Sequence, residues 1–259
     1  MSQSLPLTIE VNGGSLPGTL HAPEGDTPPE GRPAVLLCDD PLADGEATAG
    51  LPDEIARVLC EAGLMVAGLD RAGAAADNRR PEDLEAGTLV DQASALFRAI
   101  ALREEVDIDR IGALGYSLGA IVAQCLIQRT KHIARLCLLS PRSAGSLTAE
   151  FTRNNGAGES GRPAEPTPRL IESLPALSAE SGRPCGSPML ILHGAADRIV
   201  PPEQTLVYLE SSGRAGPRPE HMLVAQGDHA FTSPEARAAC LVQIVRFFQP
   251  LLNAAGSPK

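Results

Sequence analysis

Ser117 lies in Gly115-Tyr116-Ser117-Leu118-Gly119, with a glycine two places away on each side. That spacing matches the G-x-S-x-G elbow, a sharp strand-to-helix turn that lifts a serine hydroxyl out of the backbone. Strand and helix pass close together at such a turn, so its neighbours must lack side chains. The following helix points free N–H groups and the positive end of its dipole at the same spot. The chemistry offered is nucleophilic attack on an acyl carbonyl, provided a base and a donor site for the oxyanion are at hand.

Five histidines could serve as that base. His21 falls in an N-terminal hairpin. His132 ends a helix, where a cation suits the dipole. His221 opens a strand, at the wrong edge for a sheet whose ligands gather beyond the strand ends. His193 and His229 both follow strands. His229, in Gly227-Asp228-His229-Ala230-Phe231, sits in a loop before the closing helix and is the expected base. His193 is read as a residue that shapes the neighbouring loop. A carboxylate must orient the imidazole and stabilise its charged form. Asp197, after one strand and before a helix, completes the order Ser, Asp, His that accompanies this elbow. Asp228 is too near His229 in sequence to bond it well, and Asp70 precedes the serine. Two N–H donors are expected for the oxyanion, the backbone of Leu118 and that of Asp40. Tyr116, Phe151 and Phe231 are candidate substrate contacts.

Placing these groups together requires a particular set of elements. Residues 5–11 alternate apolar and polar side chains, Asn12-Gly13-Gly14 follows, and residues 16–21 form a second short run, which predicts an antiparallel hairpin. From Ala34 onward, short apolar runs (34–38, 64–69, 111–114, 133–139, 188–193, 221–225) alternate with helical periodicity (51–62, 88–105, 120–126, 202–212, 234–252). That alternation predicts an α/β, doubly wound, mostly parallel sheet over the whole chain as one domain. Residues 141–187 break the pattern, being rich in Gly, Pro, Ser, Glu and Arg. They predict an irregular insert with one short helical piece at 168–177, in the role of a lid or binding loop.

The totals bound the function. The 259 residues are 43% hydrophobic with only 3% aromatic and no Trp, so the core must come from aliphatic side chains. A net charge of −10 argues against nucleic acid and anionic membrane as partners. The six cysteines form no C-x-x-C pair, which predicts buried reduced thiols, no disulfide framework and no zinc site. The first residues lack a signal-peptide pattern, and no apolar window approaches the roughly 20 residues of a membrane helix. The expectation is a cytoplasmic monomer or homodimer with no cofactor and no metal.

Three stretches together carry a resemblance: residues 105–119, Leu190-Ile-Leu-His-Gly-Ala-Ala-Asp197-Arg-Ile-Val-Pro-Pro202, and Gly227-Asp-His-Ala-Phe231. The chain resembles the α/β-hydrolase superfamily, most of all its dienelactone hydrolase and prolyl-oligopeptidase-like branches. The resemblance implies a metal-free serine hydrolase acting on small-molecule esters through an acyl-enzyme. A peptidase or acyltransferase could use the same three residues, and a binding scaffold without turnover could share the fold. Dienelactone hydrolases carry Cys at the nucleophile position, where this chain has Ser117. Many relatives also have His-Gly where this chain has Cys38-Asp39, followed by Asp40. Two carboxylates beside an oxyanion site would oppose the charge that develops there.

Overall fold

The computed structural model describes residues 2–42, 48–70, 84–153, 167–181, 185–212 and 217–253. Its eight strands form one sheet in the order β1-β2-β4-β3-β5-β6-β7-β8. β1 (Ser2–Val11) and β2 (Gly14–Pro23) make the expected hairpin, turning at Asn12 and Gly13, both with positive φ. β2 pairs antiparallel with β4 (Met65–Leu69). All later pairings are parallel, through β3 (Arg32–Cys38), β5 (Val106–Tyr116), β6 (Ile133–Leu139), β7 (Met189–Gly194) and β8 (Glu220–Val224).

Period-two alternation sorts the strand side chains to two faces. Ala34, Leu36, Ile111, Ala113, Leu136, Leu138 and Ile191 face one core. Val35, Leu114, Tyr116, Cys137, Leu139, Leu190 and Leu192 face the other. On the first face lie α2 (Ala86–Ala101), α3 (Gly119–Thr130), α4 (Ala144–Arg153) and α5 (Pro168–Ser181). The second face is covered by α1 (Leu51–Glu61), α7 (Pro234–Phe248) and α8 (Pro250–Asn253). A short helix, α6 (Thr205–Ser212), links β7 to β8. This is the α/β-hydrolase fold, with the central strands buried on both sides.

Three expectations need correction. The irregular insert at 141–187 holds two helices within its described part. α5 packs against α2 and α3, and Leu147, Leu170 and Leu174 are wholly buried. Their weak sequence signal has a cause: Pro175 stands inside α5, and tertiary burial overrides propensity. Residues 154–166 and 182–184 of that stretch lie outside the described residues. Next, β5 begins at Val106, five residues before the apolar run, because a charged pair is built into its start. Arg110 is 5% exposed; its Nε donates to Asp107 at 2.7 Å and its Nη2 to the Gly31 carbonyl at 2.7 Å. Finally, the closing helix breaks before Pro250, giving α7 and α8.

All six cysteines are buried and none is joined in a disulfide. Burial, then the neighbouring Asp39, pushes the Cys38 thiol up to about 12 from an ordinary 9.0. Burial likewise pushes Cys240 up to about 12. A folded chain that holds thiol protons more tightly than the unfolded chain loses stability once the unfolded thiols ionise. Each such thiol should therefore cost about 1.4 kcal/mol per pH unit above its ordinary value, until it ionises in the folded state. We expect the thermal midpoint to fall steadily from pH 9 toward pH 12, more steeply than in a Cys38→Ser, Cys240→Ser variant, as scanning calorimetry would show.

Candidate active site

The serine comes at the end of β5, where the chain reverses into α3. Ser117 has φ of 54°, the left-handed region that a non-glycine residue adopts only at some cost. Its backbone is pinned on both sides: Ser117 N–H donates to the Leu139 carbonyl at 3.0 Å, and the Ser117 carbonyl accepts from Arg142 N–H at 3.2 Å. The flanking glycines are obligatory by contact. A Cβ at Gly119 would lie 1.9 Å from the Cys38 carbonyl oxygen, and one at Gly115 2.5 Å from the Gly119 carbonyl oxygen. The N-terminus of α3 can therefore press against the end of β3.

Asp197 and His229 come from the loops that follow β7 and β8. A Cβ at Gly194 would lie 2.3 Å from the Gly227 carbonyl oxygen and 2.6 Å from that of Asp228, so the two loops cross at backbone contact. Ala195 N–H donates to the Val224 carbonyl at 2.9 Å and Ala196 N–H to the Gly227 carbonyl at 2.8 Å, binding loop to loop. Arg237 on α7 fixes the far side of the second loop, donating to the carbonyls of Ala230 and Phe231, each at 2.9 Å. Replacing Gly194 with Ala should force the loops apart. Overpacking of this kind costs roughly 1–3 kcal/mol. A shift of ~1 Å between acid and base costs about 100-fold in turnover. Urea unfolding and hydrolysis rates of Gly194→Ala would measure the two effects separately.

The three polar side chains meet. His229 Nε2 is 3.1 Å from Ser117 Oγ, and His229 Nδ1 is 2.7 Å from Asp197 Oδ2. Opposite an ionised carboxylate, Nδ1 must carry the proton, which leaves the Nε2 lone pair facing the serine hydroxyl. Asp197 Oδ1 accepts N–H bonds from Ile199 at 2.9 Å and Val200 at 2.8 Å. Burial alone would push the Asp197 carboxyl up. Hydrogen bonds from His193 and His229, the adjoining His229 charge and the Val200 N–H outweigh it and hold the carboxyl well below the usual range. The group stays an anion, as the orientation of His229 requires.

His193 does more than shape a loop. Its Nε2 lies 3.1 Å from Asp197 Oδ2 and 2.9 Å from the Val200 carbonyl. Both are acceptors, so Nε2 carries the proton and Asp197 Oδ2 is shared between two imidazoles. The spacing His193 to Asp197 was the visible signal for this contact, four residues across one tight turn. The other histidines stay away from the cluster: His21 is near Ser4, His132 stacks on Phe97, and His221 is near Thr205. Asp228, the rejected acid, accepts instead from Thr232 within its own loop.

The remaining expectations fare differently. Leu118 N–H, the expected first donor, follows Ser117 in the chain and points at Asp40 Oδ2 at 3.4 Å. The Asp40 N–H is not open as a second donor, because it bonds Asp39 Oδ1 at 2.8 Å. The expected aromatic contacts are corrected as well. Tyr116 and Phe231 are 1% and 0% exposed and belong to the second core, and Phe151 packs on the first. Tyr116 instead braces His229 from behind. Its hydroxyl donates to the His229 carbonyl at 3.2 Å and its ring lies 5.3 Å from the imidazole. Burial first, then Asp40, Asp39 and Asp197, pushes the phenol far up, so it remains a donor. Ser117 itself is fully buried. An apolar cavity of about 90 Å³ adjoins Cys38, Asp39 and Pro41 and is walled by Leu69, Leu89 and Leu96.

The sequence profile of the prolyl oligopeptidase family matches residues 55–255, a span that holds all three of these side chains. The chain belongs to the prolyl oligopeptidase family. This is a family of hydrolases within the α/β-hydrolase superfamily. No curated protein matches the chain in sequence. Among solved structures, Est1E from Butyrivibrio proteoclasticus superposes with a TM-score of 0.74 at 16% identity, covering 96% of this chain and 99% of that one. Dienelactone hydrolase from Anabaena variabilis gives 0.67 at 16% identity, over 96% and 98%. A puromycin hydrolase gives 0.72 at 18% identity, over 99% of this chain and 40% of that one. At these identities the likeness speaks to the fold. Among the described residues no helix is long and apolar enough to cross a membrane, and no cluster of three or more His, Cys, Asp or Glu could hold a metal ion.

Proposed function

We propose that this protein is a serine carboxylesterase working through an acyl-enzyme, with Ser117 as nucleophile, His229 as base and Asp197 as its orienting anion. The observation that carries the reading is the unbroken line of contacts from Ser117 Oγ to His229 at 3.1 Å and on to Asp197 at 2.7 Å. Ser117 Oγ bonds to the acyl carbon while its proton passes to His229 Nε2. The carbonyl oxygen becomes an oxyanion at Leu118 N–H, at the head of α3. Collapse breaks the ester C–O bond, and His229 returns the proton to the departing alkoxide. Water, deprotonated by His229, then attacks the acyl carbon; the C–Oγ bond breaks, the acid leaves and His229 returns the proton to Ser117 Oγ.

Esters are favoured over peptides for a physical reason. Asp40 competes for the Leu118 donor, and a site with weakened oxyanion support handles a reactive ester better than an amide. The apolar cavity beside the β3 loop is the proposed seat of the acyl chain. Est1E and dienelactone hydrolase, whose chains match along nearly their whole length, support the same reading. Peptide hydrolysis is the second reading, favoured by the family match. The test is a comparison of p-nitrophenyl butyrate with peptidyl p-nitroanilides, together with fluorophosphonate labelling. We expect ester kcat/KM to exceed anilide kcat/KM at least tenfold, with the label on Ser117. Faster anilide cleavage would establish the peptidase, and a label absent from Ser117 would refute both.

A further inference from the structure

We propose that Asp40 is a specificity-determining residue that makes this site select acyl groups carrying a positive charge. The inference rests on the esterase reading above. Asp40 is 6% exposed, and its carboxylate is held by two backbone donors, Leu42 N–H at 2.9 Å on Oδ1 and Leu118 N–H at 3.4 Å on Oδ2. Leu118 is the residue after the nucleophile, so an anion of the protein itself sits where the reaction's oxyanion must form.

The two bonds are unequal in length, and this sets how the anion can give way. The contact to Leu118 is long and yields first, while the shorter one to Leu42 holds. Substrate can then take the Leu118 donor with the carboxylate still tethered beside the acyl carbon. Neither bond supplies a neutralising charge, since both donors are backbone. A neutral acyl group therefore develops its oxyanion against a neighbouring carboxylate, and an anionic one fares worse. An acyl group with a cation near its carbonyl offsets that repulsion.

The adjoining cavity has the matching character. Its walls are aliphatic (Leu69, Leu89, Leu96), and Asp39 and Asp70 are among its lining residues. An aliphatic acyl body with a cationic end suits both parts.

Two p-nitrophenyl esters of the same shape test this: 4-(trimethylammonio)butyrate and 5,5-dimethylhexanoate. Each kcat/KM is divided by the ester's own hydroxide-catalysed rate. The wild type is expected to favour the cationic ester by at least about fivefold, the least that a charge ~4 Å away exerts in water. Asp40→Asn keeps the shape and removes the charge, so it should gain on the neutral ester and lose most of that preference. An unchanged preference in Asp40→Asn, or a wild type that favours neither ester or the neutral one, overturns the inference. Should Asp40→Asn fail to fold, Asp40→Ser is read the same way and the wild-type preference still decides. Ser117→Ala run alongside separates the two levels: activity surviving there sinks the esterase reading itself, while an inactive Ser117→Ala with an unchanged charge preference sinks only this inference.

Discussion

Ser117→Ala is expected to lower kcat for p-nitrophenyl butyrate by about a millionfold, to the level that binding and the oxyanion donor sustain alone. The change removes one buried oxygen from a residue with no exposure, and leaves the backbone bonds to Leu139 and Arg142 in place. Its structural cost should therefore be small, with the thermal midpoint shifted by only a few degrees. Because Ser117 and His229 act as a unit, adding His229→Ala should cost almost nothing more. Active-site titration and steady-state rates on the single and double variants check both statements. A double variant losing far more than either single one would show that the two side chains act independently.

Asp197→Asn should be the second largest loss, about 10⁴-fold in kcat. Asp197 Oδ1 accepts from two backbone N–H groups, so the amide oxygen of Asn takes that position and the amide nitrogen replaces Oδ2. That nitrogen is a donor, and it faces two imidazole N–H groups, those of His193 and His229. His229 must then move its proton to Nε2, where it opposes the serine hydroxyl instead of receiving its proton. His193 meets the same clash, so this variant should also be less stable. The sign of its pH dependence follows from the depressed carboxyl. A group held below its ordinary range stabilises the fold above that range and loses the contribution as pH falls through it. Wild type should lose stability below about pH 4 more steeply than Asp197→Asn. Urea midpoints at pH 3 and pH 7 would show this; equal slopes would contradict the anionic role.

Much of the fold and of the polar cluster was legible because the signals were local. Apolar runs of four to seven residues between helical periods point to parallel strands, and the rule that ligands gather beyond strand ends narrows five histidines to two. What escaped was set by contacts distant in sequence. α4 and α5 are helical because Leu147, Leu170 and Leu174 find a core, which no local composition announces. The start of β5 reads as polar because Arg110 is satisfied by Asp107 and by the Gly31 carbonyl, 79 residues away. Tyr116 and Phe231 neighbour the serine and histidine in sequence and Phe151 lies in the insert, yet alternation turns Tyr116 inward to the second core. Two adjacent acids are visible at 39 and 40, but the Asp40 carboxylate turns toward the Leu42 and Leu118 N–H groups, the second of them 78 residues away.

The distance along the chain between serine and histidine has a consequence during biosynthesis. The two partners are 112 residues apart. At ~5–20 residues per second, the ribosome needs roughly 6–22 s between adding one and adding the other. Throughout that interval the emerging polypeptide carries its hydroxyl without a base, and the last strand must dock before any acyl group can be attacked. Nascent chains are thus chemically silent, and hydrolase activity arrives in one step with completion of the sheet.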